Sequence, residues 1–168
     1  LGTQGTYGFF ITLDGFGSDF SIDNNVIEDA LGTCIENTGW SYGSISYNNF
    51  NTFNNALTSA FSINGTGNGV MTGLVVVGNK TMAPATTHSF IGLMDNSYVA
   101  GNYISVTAAP AQSLFIRDSN DNKFVGNTWT SSTSATYAVL MEYSSTTCKR
   151  NKFFGDTFDD SGASSNTA

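Results

Sequence analysis

The sequence is poor in charged residues, and this shortage excludes two kinds of partner. Only 11% of its 168 residues are charged, against roughly 25% in ordinary soluble domains. The six Lys and Arg residues form no cluster, although binding to a nucleic-acid backbone needs a positive patch, and the formal net charge is -7. No run approaches the ~20 apolar residues that cross a bilayer. We therefore expect neither nucleic acid as a partner nor insertion into a membrane.

Signals for helices and for metal binding are missing as well. No ten-residue stretch places apolar residues at helical spacing between capping residues, and proline occurs only twice. His88 is the only histidine, and no His, Cys or acidic residues are grouped at the spacing of metal ligands, so we predict no metal and no cofactor. An apolar fraction of 40% nevertheless argues against disorder. Short alternating apolar runs predict strands instead.

The sequence contains a repeated motif. An apolar residue is followed three positions later by Asn or Asp, and two positions after that by a second, usually bulky, apolar residue. The six copies are Ile22/Asn25/Ile27, Ile45/Asn48/Phe50, Val76/Asn79/Thr81, Val99/Asn102/Ile104, Phe124/Asn127/Trp129 and Phe153/Asp156/Phe158. Their polar members are 23 to 31 residues apart. This spacing is typical of solenoids, in which each repeat buries its apolar face against the next.

Three short strands are predicted in each repeat. The first row is Phe9–Leu13, Thr33–Glu36, Ala60–Ile63, Phe90–Met94, Leu114–Arg117 and Ala138–Glu142. The second row carries the start of the motif, and the third ends on Ile27, Phe50, Ile104, Trp129 or Phe158. Pairing of equivalent strands one turn apart makes an all-β parallel β-helix of about six turns, with residues 1–168 in one domain. Since the sequence starts with Leu and has no signal peptide, we expect it to be a fragment of a longer chain.

The motif residues are predicted to be structural. Asn tolerates a left-handed bend, and a column of its amides can hydrogen-bond along the axis. In the last four copies Gly78, Gly101, Gly126 and Gly155 precede the polar residue and permit the bend. The motif aromatics Phe50, Phe124, Trp129, Phe153 and Phe158 are predicted to be core. Other aromatics fall outside these positions, and exposed members would suit sugar binding: Tyr7, Trp40, Tyr42, Tyr47, Tyr98, Tyr137 and Tyr143.

The two cysteines are predicted to be free thiols. Cys34 and Cys148 are about four repeats apart, and stacking at ~4.8 Å per strand separates them by roughly 19 Å. A disulfide requires Cα atoms within about 7 Å.

The repeat, with its Gly-Asn pair and a bulky apolar residue two positions on, resembles right-handed parallel β-helix proteins of the pectin-lyase-like superfamily over roughly Phe9 to Phe158. That superfamily includes pectate lyases, polygalacturonases and phage tailspikes. The low charge and the abundance of Ser, Thr and Asn are most similar to a tailspike or fibre β-helix. The resemblance implies a right-handed solenoid, a homotrimer, and a place on a virion tail or outside the cell. The Gly-His-Gly and Arg-Ile-Lys signatures of polygalacturonases are absent.

One strand row offers candidate catalytic residues. The position after the last inward apolar residue of the first row is Glu36, Asn64, Met94, Arg117 and Glu142 in successive repeats. We expect Arg117 and Glu142 to be neighbours, with Asp118 and Asp95 beside them at the strand ends. Glycoside hydrolysis uses two carboxylates, and polysaccharide lysis uses a base with a cation that neutralises the uronate. Glu142 or Asp118 is the candidate acid or base, and Arg117 would orient a charged sugar. An exposed ion pair worth ~0.2–1 kcal/mol is the alternative.

Carbohydrate contacts are predicted on two outward faces. Asp95 and Glu36 belong to the face of the catalytic candidates. Tyr98 and Lys123 share a second outward position, which Lys152 continues one repeat later. Stacked lysines repel each other unless a carboxylate or an anionic ligand lies between them.

Three functions are compatible with these patterns. The favoured hypothesis is the β-helix of a tailspike-like protein that binds bacterial surface polysaccharide for host recognition. The second is a polysaccharide lyase or glycoside hydrolase of the pectin-lyase-like fold, and the third is a structural adhesin or surface solenoid without catalysis. Neither terminus shows a capping helix, so we expect partner subunits or a larger parent chain to cover the open strand edges.

Overall fold

The chain folds as a solenoid of short parallel strands. The computed structural model describes residues 9–28, 33–51, 59–65, 69–81, 89–106, 112–131, 137–143 and 147–160. Within these ranges the protein is all-β, and it contains no helix. The predicted fold class, a parallel β-solenoid, is confirmed.

Every repeat supplies strands in the same order, and the first four repeats contain one short extra strand. The first repeat has β1 (Phe9–Leu13), β2 (Gly17–Ser18), β3 (Ser21–Asp23) and β4 (Val26–Glu28). The second has β5 (Thr33–Asn37), β6 (Trp40–Ser41), β7 (Ser44–Ser46) and β8 (Asn49–Asn51). The third has β9 (Ser59–Asn64), β10 (Met71–Thr72), β11 (Val75–Val77) and β12 (Lys80–Thr81). The fourth has β13 (Ser89–Gly92), β14 (Met94–Asp95), β15 (Tyr98–Ala100) and β16 (Tyr103–Val106). The fifth has β17 (Gln112–Arg117), β18 (Lys123–Val125) and β19 (Thr128–Ser131), and the sixth has β20 (Tyr137–Glu142), β21 (Lys152–Phe154) and β22 (Thr157–Asp160).

Equivalent strands pair into three long sheets, as the three predicted strand rows require. The first sheet is β1-β5-β9-β13-β17-β20, the second is β3-β7-β11-β15-β18-β21, and the third is β4-β8-β12-β16-β19-β22. The extra strands form two short ladders, β2-β6 and β10-β14. These extra strands were not predicted, because a two-residue strand is too short to show an alternating pattern.

The apolar motif residues form columns inside the solenoid, because in-register parallel pairing lays equivalent side chains over one another. One column is Ile22, Ile45, Val76, Val99, Phe124 and Phe153, and the other is Ile27, Phe50, Thr81, Ile104, Trp129 and Phe158. Phe50, Phe124 and Trp129 are fully buried, as predicted. Phe153 is only half-buried and Phe158 is 38% exposed, because no described strand covers β21 and β22. The predicted burial of Phe158 is therefore wrong.

The motif Asn residues form the predicted ladder. The Nδ2 of each Asn donates to the Oδ1 of the next member at 2.6 to 2.9 Å, along the column Asn25, Asn48, Asn79, Asn102, Asn127 and Asp156. The backbone N–H of each Asn donates to the same oxygen. From Asn48 onward, Nδ2 also donates to a carbonyl of the preceding repeat. The amides thus satisfy the buried backbone groups of this bend.

A second polar column, which was not predicted, lies at the bend before the second sheet. Ser97 Oγ accepts the backbone N–H of Leu74, and Asn122 Oδ1 accepts that of Ser97. Asn151 Oδ1 accepts both the backbone N–H and the Nδ2 of Asn122. The repeated Asn-Lys-Phe triplet that begins at Asn122 and Asn151 is the sequence signal for this column.

A residue with left-handed backbone precedes every ladder position. The bend between the second and third sheets always contains two residues. The first of them has φ between 56° and 66° in all six repeats: Asn24, Tyr47, Gly78, Gly101, Gly126 and Gly155. The ladder Asn residues themselves do not have positive φ, so the prediction placed the left-handed conformation one residue too late. Glycine adopts the left-handed conformation without strain, whereas in a residue with a Cβ this conformation costs roughly 1–2 kcal/mol of conformational free energy.

Gly78 and Gly101 share a left-handed backbone, but only at Gly78 would an added Cβ clash with a neighbour, so substitutions at the two positions separate backbone strain from steric crowding. A Cβ at Gly78 would lie 2.6 Å from Cδ1 of Tyr47, whereas one at Gly101 would meet nothing within 4 Å. We expect Gly101→Ala to lower the free energy of unfolding by about 1 kcal/mol, and Gly78→Ala by about twice that. Urea denaturation of both variants in the wild-type and Tyr47→Ala backgrounds measures the difference. Equal losses in the wild-type background would contradict the proposed contact.

Candidate functional site

Arg117 and Glu142 are neighbours on the outside of the first sheet, as predicted. They lie opposite each other in the pairing of β17 with β20, and the Nε of Arg117 is 3.3 Å from the Oε1 of Glu142. Their side chains are 42% and 40% exposed. The Nε atom makes no hydrogen bond among the described residues, so the contact is an ion pair without directed hydrogen bonding. Both side chains can be reached by a ligand on the surface.

The remainder of the predicted row is only partly correct. Asn64 lies opposite Gly92, which lies opposite Arg117, so Asn64 belongs to this column. Met94 does not belong to it, because Met94 is buried and pairs with Met71 in a short ladder. Glu36 lies opposite Ser62, two positions before Asn64. Counting back from the ladder Asn does not find equivalent positions of the first sheet, because the segment between the first and second sheets differs in length among repeats.

Of the other acidic residues near this face, Asp118 is buried and Asp95 is engaged in hydrogen bonds. Asp118 is 4% exposed, has a φ of 48°, and donates its backbone N–H to the carbonyl of Glu142 at 3.1 Å. Asp95 accepts the backbone N–H and Nδ2 of Asn120 through Oδ1, at 2.7 and 3.2 Å. Burial and the nearby Asp14 raise the pKa of Glu36 above its usual value. Beside Arg117, therefore, Glu142 is the carboxylate that the surface presents.

The outer face of the second sheet carries the other predicted contacts. Its first outward column is Ser21, Ser44, Val75, Tyr98, Lys123 and Lys152, so the predicted alignment of Tyr98 with both lysines is confirmed. Tyr98, Lys123 and Lys152 are all exposed. The long side chains of this column stand side by side on an open surface, where a linear polymer can reach several of them at once.

Tyr42 and Tyr47 lie near the two ends of a strand of this sheet; the sequence named them among the aromatics that would suit sugar binding if exposed, but did not assign them to a site. They flank β7, have φ of 52° and 56°, and are 61% and 62% exposed. Each ring packs against a glycine of the next repeat, because a Cβ at Gly73 or Gly78 would lie 2.7 or 2.6 Å from Cδ1 of the ring. Both Tyr–Gly pairs are separated by 31 residues, like Asn48 and Asn79. A Tyr one repeat away from a bend glycine is the signal that would have identified them.

The remaining aromatics outside the motif are distributed elsewhere. Tyr143 is exposed after the last strand of the first sheet, and Trp40 is half-buried against Gly17. Tyr7, the side chain of Tyr137 and His88 lie outside the described residues.

The described residues contain neither a disulfide bond nor a cluster of metal-binding side chains. Cys34 and Cys148 are free thiols, as predicted, and burial raises the pKa of Cys34 to about 12. Among the described residues, no group of three or more His, Cys, Asp or Glu side chains could hold a metal ion. The same residues include no helix that is long and apolar enough to cross a membrane.

No family model, curated protein or solved structure matches the chain. The assignment to the pectin-lyase-like superfamily, and to tailspikes within it, therefore stays a prediction.

Proposed function

We propose that this chain is the polysaccharide-binding β-solenoid of a tailspike-like protein that recognises a bacterial surface glycan. The binding face would be the outer surface of the second sheet, with Tyr42, Tyr47, Tyr98 and Lys123 as its main contacts. In this proposal the protein acts on a virion tail or outside the cell, as a homotrimer or as part of a larger chain. The observation that carries the proposal is the pair of exposed tyrosine rings braced against glycines.

Braced tyrosines are suited to sugar recognition. A tyrosine ring offers a large amphipathic contact area with little conformational entropy to lose, and its hydroxyl group can hydrogen-bond. Because the two rings already pack against Gly73 and Gly78 in the folded protein, they lose less side-chain conformational entropy when a ligand binds. Tyr47 lies five positions after Tyr42, and at ~3.3 Å per residue their Cα atoms are at most about 17 Å apart. A short oligosaccharide can span that distance.

Binding to a panel of bacterial surface polysaccharides tests the proposal, with affinities from isothermal titration calorimetry. Truncation of a central interface aromatic costs more than ~1 kcal/mol, so we expect Tyr42→Ala and Tyr47→Ala each to weaken binding about tenfold. Tyr143→Ala is the matched control, because Tyr143 is also an exposed tyrosine but follows the first sheet. Equal losses in all three variants, or no binding to any glycan, would overturn the proposal. The latter result would support a structural surface solenoid.

A second candidate function is cleavage of the bound polysaccharide, and the contact of Arg117 with Glu142 favours it. Glu142 would act as the base, and Arg117 would neutralise a uronate at the adjacent position. The burial of Asp118 leaves little of its carboxylate available as the second group that glycoside hydrolysis needs, so this face favours a lyase over a hydrolase.

Glu142→Gln tests this candidate and also measures the ion pair. We expect the free energy of unfolding to fall by less than about 1 kcal/mol, because both partners are substantially exposed. If the chain cleaves polysaccharide, the same variant should abolish the release of unsaturated uronate ends. Cleavage that is unchanged in Glu142→Gln combined with Asp118→Asn would exclude this site.

A further inference from the structure

We infer that the ligand of the second sheet is an acidic polysaccharide whose anionic groups lie against Lys123 and Lys152. This inference rests on the proposed function and specifies its ligand class. It concerns what we call the basic strip, the eight outward residues of the second sheet in repeats three to six: Val75, Val77, Tyr98, Ala100, Lys123, Val125, Lys152 and Phe154.

The basic strip has the opposite charge to the molecule as a whole. The sequence contains 13 acidic and six basic residues, yet none of the eight strip residues is acidic and two are lysines. The acidic residue of the same outward columns is Asp23, in the first repeat. Its carboxylate accepts hydrogen bonds from the hydroxyls of Ser21 and Ser44, so it is already engaged at the far end of the sheet. The strip is therefore a separate cationic and apolar surface.

The two lysines lie directly opposite each other on adjacent strands. Lys123 pairs with Lys152 in the register of β18 with β21, at a strand separation of ~4.8 Å. Like charges placed opposite each other destabilise a sheet. Neither lysine forms a salt bridge among the described residues. An anionic group between the two ammonium groups would relieve this repulsion.

The carboxylate of Asp121 is not available for that role. It interacts electrostatically with Lys152, but it accepts two hydrogen bonds from Arg150, at 2.5 and 2.6 Å. Because Arg150 holds both carboxylate oxygens, the ammonium groups of the strip keep their capacity for an external anion.

Apolar side chains complete the surface around the lysines. Tyr98 lies one repeat before Lys123, and Phe154 is exposed two residues after Lys152 on the same face. A uronic acid residue has a carboxylate on one side and an apolar face of C–H groups on its ring. The lysines match the carboxylate and the aromatic side chains match the ring, so the strip fits an acidic sugar better than a neutral one.

The test compares a uronate-containing polysaccharide with its carboxyl-reduced form, each titrated into the full chain at low and high salt. We expect the acidic form to bind more tightly, and salt to weaken only that form. Lys123→Gln combined with Lys152→Gln should weaken binding of the acidic form about tenfold and reduce its preference over the reduced form by a similar factor. Lys149→Gln is the matched control, because Lys149 is exposed but lies outside the strip. Unfolding curves establish that each variant is folded.

Each outcome decides one point. Equal affinity for the two forms would overturn the acidic ligand and leave the proposed function intact, whereas no binding of either form would overturn both. An equal loss in Lys149→Gln would show a general charge effect and not a site. Sedimentation velocity tests whether the strip is instead an interface between copies of the chain. If the wild type self-associates and the double variant does not, and both bind the glycan with equal affinity, the inference is wrong.

Discussion

Replacing Asn102 with alanine should lower the free energy of unfolding by about 4 kcal/mol. Asn102 is buried at the centre of the ladder, where Nδ2 donates to Asn127 Oδ1 and to the carbonyl of Val76, both at 2.9 Å. Its Oδ1 accepts the backbone N–H and the Nδ2 of Asn79, also at 2.9 Å. Each buried group left without a partner costs ~1–3 kcal/mol, and local relaxation relieves some of the total. Urea denaturation measures the loss.

A pair of opposite exchanges between Asn and Asp shows whether the direction of the ladder matters. Asn102→Asp keeps an acceptor for Asn79 but removes the donor to Asn127 and Val76, and it buries a charge, so we expect a loss at least as large as that of the alanine variant. Asp156→Asn should change stability by less than about 1 kcal/mol, because either side chain can accept from Asn127. Similar losses in both variants would contradict a directional ladder.

Replacing Phe124 with alanine should cost about 4 kcal/mol, because truncation of a buried Phe typically costs 3–5 kcal/mol. Phe124 has no exposed surface, and its ring stacks on Phe153 with centroids 4.6 Å apart and an interplanar angle of 13°. Alanine would leave a cavity beneath the last repeat, where β18 and β21 hold the backbone in place. The loss should appear in the free energy of unfolding from urea or thermal denaturation.

Phe153→Ala is the matched control for this prediction. Phe153 occupies the same column one repeat later, but it is only half-buried, so we expect its truncation to cost about half as much. Equal losses at the two positions would mean that the end of the solenoid is as well covered as its middle, which would contradict the exposure of Phe153 and Phe158.

The sequence predicted the interior better than the surface, and the reason is geometric. The motif spans a bend of constant length, so the ladder residue of each copy determines the phase of the strands on both sides of that bend, and the columns through Ile45 and Phe50 followed directly. The ladder followed as well, because an Asn amide can both accept from one repeat and donate to the next.

The candidate site was harder to predict, because its residues lie beyond bends of variable length. Arg117 and Glu142 were correctly predicted to be neighbours, whereas Glu36 and Met94 were not correctly placed in their column. The burial of Asp118 depends on its left-handed backbone, which an Asp in the sequence does not reveal. Tyr42 and Tyr47 were named as possible sugar contacts, but their packing was not predicted, because it depends on glycines in the next repeat.

The constant two-residue bend between the second and third sheets divides the solenoid into a fixed edge and two adjustable ones. Connections from the third sheet to the next first strand contain four to seven residues, and those from the first sheet to the second contain five to ten. The ladder binds the fixed edge from Asn25 to Asp156, and insertions elsewhere leave its register untouched. The chain can therefore gain or lose loop residues at two corners while Tyr47, in the third bend, and Tyr98 and Lys123, on strands that lead into it, keep their relative positions.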